Sequence, residues 1–252
     1  MLLTIDIGNT TTSVGCFTGK RLGGGFSIAT HPNRTPDEIA AQLASLGARH
    51  HIKWPRVRSS VLRSVVPRMT SVVVEALQHI GRSRVRVVGQ DLTVPLRNRY
   101  QYPEQVGQDR LVAAYAAWKE FKRDCIVADF GTAMTIDVVT KAGEYLGGVI
   151  APGLGLSLEA LASRTALLPK VDLREPPELL GRDTANSIRS GVLHGTVALC
   201  DGLIAQLKSR YVPRAVVVAT GGSSALVVKH SRLMNHHRPH LILQGLSEIS
   251  SK

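Results

Sequence analysis

The stretch TIDIGNTTTSVG, residues 4–15, decides the fold, because VADFGTAMTIDV at residues 127–138 repeats its plan. Placing Asp6 on Asp129 sets Gly8 on Gly131, with hydroxyl-bearing residues in the turn of each copy. Each copy reads as an apolar strand that ends in an acid, a glycine-containing tight turn and a second strand. A strand ending in Asp-x-Gly-Asn-Thr exposes consecutive backbone N–H groups where glycine permits close approach, and hydroxyls add donors beside them. Such a turn is a phosphate cradle. The carboxylate of Asp6 repels phosphate, so its functional reading is to hold a Mg²⁺ shell or an ordered water. An ordinary hairpin whose Asp and Asn satisfy their own turn is the simpler reading of one copy. Two copies, each on a buried strand, favour phosphate.

The first half of the chain alternates strands and helices. RTPDEIAAQLASLG carries a capping box of Thr35 and Glu38, with Pro36 in the first turn and Gly47 as the expected stop. KRLGGG reads as a glycine-rich turn, RVRSSVLRSVV and RVRVVG as strands, and VPRMTSVVVEALQHIG as the helix between them. Leu111, Val112, Tyr115, Trp118 and Phe121 recur at helical spacing, a core pattern. In the second half, DCIVADFGTAMTIDVVTKAGEYLGGVIAPG reads as three strands, DTANSIRSGVLHGTVALCDGLIAQLKSRY as one long helix, and RAVVVATGGSSALV as a strand followed by a helix. The fold class expected is α/β, in two duplicated domains of residues 1–117 and 118–252 that face one another across a cleft.

The 252 residues suffice for two such cores. Three separated cysteines with no CxxC pair argue against a disulfide frame or a zinc site and fit a reducing, cytoplasmic setting. MLLTIDIGNT has no basic leader, and no later stretch approaches the ~18 apolar residues of a membrane span. The net charge of +12 is unevenly spread, with eleven Lys or Arg against two acids between Arg49 and Arg99. Such a field attracts anions. Aromatics at 4% leave no base-stacking platform, so nucleic acid is not the expected partner and a solvated basic face is.

VGQDR supplies what a phosphate cradle lacks. Asp109 stands at the mouth of a helix beside Arg110 and is a candidate general base for deprotonating an alcohol. A helix cap with a surface ion pair explains the same residues equally well. Arg110 can also grip a carboxylate through its planar fork. GGVIAPG and ATGG decide nothing alone, His230, His236, His237 and His240 read as solvated, and no G-x-S-x-G offers a serine nucleophile.

Taken in order, DIGNTTT, YQYPEQVGQDRLVAA, VADFGTAMTIDVV, GGVIAPGLGLSLEALASRTALLP, GRDTANSIRSG and ATGG resemble the type III pantothenate kinases over nearly the whole chain. DxGxT alone is shared across the acetate and sugar kinase, Hsc70 and actin superfamily, whereas G-x-D-R and the later G-x-x-T are more specific. The resemblance implies two ribonuclease H-like domains in an actin-like ATPase fold. It also implies ATP-dependent phosphorylation of pantothenate, the first step of coenzyme A synthesis. By position it assigns Asp6, Ile7, Gly8, Asn9, Thr10, Thr11, Thr12 and Ser13 to the first ATP turn and Thr132 to the second. It makes Asp109 the catalytic base and Asp129 the ligand of a monovalent cation, K⁺ or NH₄⁺, alongside Mg²⁺. Tyr100, Gly107, Gln108, Asp109, Arg110 and Thr184 fall to the pantothenate pocket. A homodimer is implied, with the long helix around residues 184–208 as the pairing element. Gln108 stands where the family commonly has a small residue, Tyr102 replaces the usual Asn before the proline, and RPHLILQGL lacks the expected acid. Two rival readings remain: an accessory factor for transcription from the same family, using the basic segment, and a superfamily kinase acting on a sugar or a carboxylate.

Overall fold

A computed structural model describes residues 1–81 and 83–250. Its first sheet comprises β1 (Leu2–Ile7), β2 (Thr11–Thr18), β3 (Arg21–Ala29), β4 (Ser59–Ser64) and β5 (Arg84–Val87), ordered β3-β2-β1-β4-β5. The first three strands form an antiparallel meander, and β4 and β5 add in parallel. Parallel addition needs crossovers. They are made by the segments holding α1 (Pro36–Arg49) and α2 (Pro67–Ile80).

The second sheet repeats this plan. It takes β6 (Arg97–Asn98) as an added edge, and after α3 (Gln108–Phe121) come β7 (Cys125–Phe130), β8 (Ala133–Val139) and β9 (Glu144–Pro152). Then follow α4 (Leu154–Arg164), α5 (Thr184–Arg210), β10 (Val216–Thr220), α6 (Ser224–Val228), β11 (His236–His237) and α7 (Leu241–Ser250). The order β11-β10-β7-β8-β9-β6 is the first sheet's order with one strand appended. The duplication read from the sequence is therefore a duplication of topology. It differs by one residue at the turn: Asp6 pairs with Ser13 and Asp129 with Thr135, so the second hairpin is one residue shorter. The alignment on Asp6 and Asp129 holds up to the turn and slips beyond it.

Two compact units follow, one of Met1–Leu96, Tyr102–Ala116 and Leu241–Lys252, the other of Arg97–Gln101 and Ala117–His240. The first is held by a core that includes Leu3, Ile5, Ile7, Val14, Leu43, Leu62 and Met69, all essentially inaccessible. Ile126, Ala128, Phe130, Ile136, Leu193, Cys200 and Val217 lie in the core of the second. A division at 117/118 leaves α7 with the second unit, yet the helix packs in the first. Leu241, Leu243, Leu246 and Ile249 are buried, a Cβ on Gly245 would lie 2.7 Å from the Val112 carbonyl oxygen, and Arg86 donates to the Ser250 carbonyl at 3.0 Å. Arg97–Gln101 goes the other way because β6 pairs with β9.

Two glycine readings change. The capping box of α1 is present as expected, but the helix passes Gly47 and runs to Arg49. Gly47 is there for packing: a Cβ would stand 2.7 Å from the Trp54 ring. Gly23, Gly24 and Gly25 lie inside β3 rather than in a turn, and a Cβ on Gly24 would meet the His50 carbonyl oxygen at 2.3 Å. His236 and His237 are not solvated tail residues either. They form β11 beside β10, and His237 Nε2 lies 2.8 Å from Ser224 Oγ. The three cysteines are buried and unbridged. Among the described residues no helix is long and apolar enough to cross a membrane.

Candidate active site

In the first unit, β1 carries Asp6 to its end and β4 runs parallel to it with Arg63 in register opposite Asp6. Register partners on adjacent strands project to the same face, so carboxylate and guanidinium meet. Arg63 Nη2 lies 2.9 Å from Asp6 Oδ1 and 3.7 Å from Asp109 Oδ2. The Arg63 side chain is 4% exposed, against 17% for Asp6 and 33% for Asp109. The 2.9 Å approach is a charge contact without hydrogen-bond alignment, since among the described residues Asp6 Oδ1 has no hydrogen-bond partner and neither does Arg63 Nε. Arg63 Nη1 makes a long bond of 3.5 Å to the Ile7 carbonyl.

Asp109 is the second residue of α3. The helix opens on Gly107, whose carbonyl accepts from Arg110 N at 3.1 Å. A Cβ at position 107 would lie 2.3 Å from Asp109 Oδ1, so the glycine leaves the room in which this carboxylate turns. The ion partner seen for Asp109 is the buried Arg63, not its neighbour Arg110, which is itself buried. Among the described residues Asp109 therefore has no surface cation of the kind a capping acid in a surface pair would have. Gln108 rests on Gly89, a φ = +92° position where a Cβ would stand 3.2 Å from the Gln108 side chain. Its bulk is taken up within the first unit.

Burial raises the Asp6 carboxyl from 3.8 to about 6, with Arg63 opposing the rise and the charge of Asp109 adding to it. An acid raised on folding binds its proton more tightly in the native state. Its stabilising contribution is complete below pH 3.8 and is lost as the pH climbs through 6. Asp6→Asn should therefore gain stability relative to the parent protein between about pH 4 and 7 and hold that gain above it. Urea unfolding of the ligand-free proteins across this range measures the difference, and a pH-independent difference would contradict the burial argument.

The turn after β1 is narrower than residues 6–13. Gly8 N donates to the Thr11 carbonyl at 3.0 Å, closing a turn whose Asn9, Thr10 and Thr11 are exposed. Ile7 is in the core. Thr12 is buried with its hydroxyl 2.9 Å from that of Thr30, and the Ser13 hydroxyl lies 3.0 Å from that of Ser27. Those two hydroxyls tie β2 to neighbouring chain, which leaves Gly8–Thr11 as the outward part of the turn.

In the second unit Asp129 is the penultimate residue of β7, opposite Thr220 of β10 and Thr135 of β8. The turn beyond it exposes Gly131 and Thr132 and is pressed on Gly153, where a Cβ would lie 2.3 Å from the Gly131 carbonyl oxygen and 2.5 Å from that of Thr132. Gly221, at φ = +92°, lies so close that a Cβ would stand 2.3 Å from Asp129 Oδ1. The Asp129 carboxylate is an oxygen donor of the kind a hard cation takes. No cluster of three His, Cys, Asp or Glu fit for a metal occurs among the described residues. Mg²⁺ fits Asp6 through water better than directly, because Arg63 already faces Oδ1. Tyr100 stacks at a tilt on Tyr145, 6.4 Å between centroids, over Gly147 at φ = +119°, where a Cβ would touch the Tyr100 ring at 3.2 Å. Thr184 is the exposed first residue of α5, behind the cap Asp183.

The structure thus brings Asp6 and Asp109 together in one unit, Asp129 and Thr132 in the other. The residue missed in the sequence is Arg63. Its signal was there: a single arginine inside the apolar run of SSVLRSVV, one strand away from Asp6.

The comparisons with known proteins agree. The family profile described as type III pantothenate kinase matches residues 2–206. A type III pantothenate kinase from Solibacter usitatus is 37% identical over 249 residues, 99% of this chain and 95% of the relative. One from Rubrobacter xylanophilus is 40% identical over 255 residues, 99% of this chain and 97% of the relative. Among solved structures, a Baf family protein from Campylobacter jejuni, whose description names transcriptional activation, superimposes with a TM-score of 0.62 at 18% identity, covering 99% of this chain and 97% of that one. MreB 5 of Spiroplasma citri, solved with AMPPNP, gives 0.55 at 9%, covering 99% and 96%. At such identities these two structures speak for the fold alone, the actin-like ATPase arrangement of duplicated α/β units. With a family match across most of its length and near-complete coverage by relatives well above 30% identity, the chain belongs to the type III pantothenate kinase family.

Proposed function

We propose that the protein transfers the γ-phosphoryl group of ATP to the primary hydroxyl of pantothenate, giving 4′-phosphopantothenate, with Asp109 as the base. As a member of its family it is a kinase with ATP as phosphoryl donor and a place in coenzyme A synthesis. The observation that carries the assignment of Asp109 is its setting: a part-exposed carboxylate at the start of α3, beside a buried guanidinium it shares with Asp6. Phosphoryl transfer asks little covalent work of a protein, so roles are positional. The Asp109 carboxylate accepts the hydroxyl proton as the oxygen attacks phosphorus, and only a base within hydrogen-bond reach can do so.

The outward turn Gly8–Thr11 offers backbone N–H groups and hydroxyls to the phosphates, and Thr132 serves as the contact of the second turn. Asp6 would hold Mg²⁺, which would neutralise phosphate charge, and the Asp129 carboxylate would hold K⁺ or NH₄⁺. Tyr100, Gly107–Arg110 and Thr184 hold pantothenate, Arg110 being the group suited to its carboxylate. The working form is a cytoplasmic homodimer paired through α5.

A substrate panel tests this reading. Purified protein with ATP, Mg²⁺ and K⁺ should turn over pantothenate well ahead of glucose, N-acetylglucosamine or acetate, and replacing K⁺ by Na⁺ should depress the rate. Preference for a sugar or for acetate overturns the substrate assignment, and equal rates in Na⁺ remove the case for Asp129.

A further inference from the structure

We propose that Arg63 is a positioning residue for phosphoryl transfer: its buried guanidinium spans the Asp6 and Asp109 carboxylates and fixes the direction in which Asp109 faces the incoming alcohol. The inference rests on the reading of Asp109 as the base and adds a residue to it.

A buried arginine is costly, because desolvation of a charge is repaid only by close, well-bonded partners. Arg63 is poorly repaid. Among the described residues Nε has no hydrogen-bond partner, the bond from Nη1 to Ile7 is long, and the contact with Asp6 is close but misaligned. A strand whose task is only to pack would be served by an apolar residue here, as its neighbours Val61 and Leu62 show. The arrangement gains something else. Asp6 and Asp109 come from different elements, a strand end and a helix start, and two carboxylates on one cation are held in a geometry that they would otherwise leave by mutual repulsion. Arg63 approaches Asp109 through Oδ2, while Oδ1 lies over Gly107, where a side chain at 107 would push it away. One oxygen is thus tethered and the other given room, the arrangement a base needs to receive a proton from one direction. Nη2 meets both acids while Nη1 of the same rigid plane reaches the Ile7 carbonyl, a second point of attachment that a lysine ammonium on a flexible stem does not have.

The test compares the parent protein with Arg63→Lys and Arg63→Met. For each, kcat, KM for pantothenate and the ATP Kd are measured, and the crystal structure of Arg63→Met is determined. Loss of alignment at a reacting group costs on the order of 100-fold, so Arg63→Met should lose about that much in kcat with its ATP Kd unchanged. Arg63→Lys should fold, keep KM and fall between the two in kcat. In the Arg63→Met crystal the Asp109 carboxylate should have swung away from Asp6. A kcat for Arg63→Lys equal to that of the parent, or for Arg63→Met within a few-fold of it, overturns the proposal. So does an Asp109 carboxylate that has not moved, whichever alcohol the enzyme proves to phosphorylate. Failure of the parent protein to use pantothenate counts against the substrate assignment alone, and the position of Asp109 in the Arg63→Met crystal then decides the role of Arg63.

Discussion

Asp109→Asn should keep its affinity for ATP and lose at least ~100-fold in kcat, the usual scale for removal of a general base. The substitution is nearly isosteric. Asparagine at the second residue of α3 is tolerated by the helix start, loses at most a fraction of a kcal/mol, about 0.3–1, of interaction with the helix dipole, and still fits beside Gly107. What it cannot do is take a proton. Its amide also exchanges a charge contact with Arg63 for a weaker dipolar one, which leaves Asp6 as the partner of the guanidinium. The effect should therefore fall on turnover and leave nucleotide binding alone, a split that separates lost chemistry from lost binding. Steady-state kinetics in parallel with an ATP titration provides both numbers. Near-normal kcat would remove Asp109 from the chemistry.

Gly221→Ala carries the other large expected effect, this time on the second unit. Position 221 combines a backbone conformation at φ = +92° with three contacts no Cβ can make: 2.3 Å to Asp129 Oδ1, 2.6 Å to Phe130 N and 2.7 Å to Phe130 C. Strain at such a φ costs of order 1–3 kcal/mol by itself, and forcing the neighbours apart adds to it, so a loss of ~3 kcal/mol or more is expected. The displaced atoms belong to the β7 end that presents Asp129, so a folded variant should also bind nucleotide poorly. The adjacent Gly222 is the control, because a Cβ there meets nothing within 4 Å. Denaturant unfolding of the two variants should separate them widely. Equal midpoints would contradict the close approach of β10 to the turn.

The duplicated hairpins were readable because each strand end leaves a local mark: an acid, a glycine two residues on, and hydroxyls. The elements that pack on themselves were readable for the same local reason, as the capping box of α1 illustrates. What was not readable depends on distant partners. Gly47 looks like a helix stop until the Trp54 ring is seen against it, and the glycines of β3 look like a turn until the end of α1 is seen crossing them. An isolated glycine states only that something comes close or that φ is unusual, and the sequence does not say which. The one-residue difference between the hairpins escaped because hydroxyls fill both turns and mask the slip. Arg63 escaped because its two partners are brought to it by strand register and by the start of α3, neither of which a charge pattern along the chain reveals. α7 was passed over since a short apolar segment after a basic stretch shows no partner. Its place beside β1 and β4 comes from the closing of the first unit's core.

Everything proposed for Asp109 and Arg63 depends on this chain moving a phosphoryl group from ATP to the alcohol of pantothenate. Phosphorus NMR of one reaction tests it most directly, with purified protein, ATP, Mg²⁺, K⁺ and pantothenate in the tube. One new phosphomonoester signal should grow in step with ADP, with little inorganic phosphate, and should grow at least ~100-fold more slowly when Asp109→Asn replaces the parent protein. ADP accompanied only by inorganic phosphate, or a phosphomonoester formed equally fast by Asp109→Asn, would contradict it.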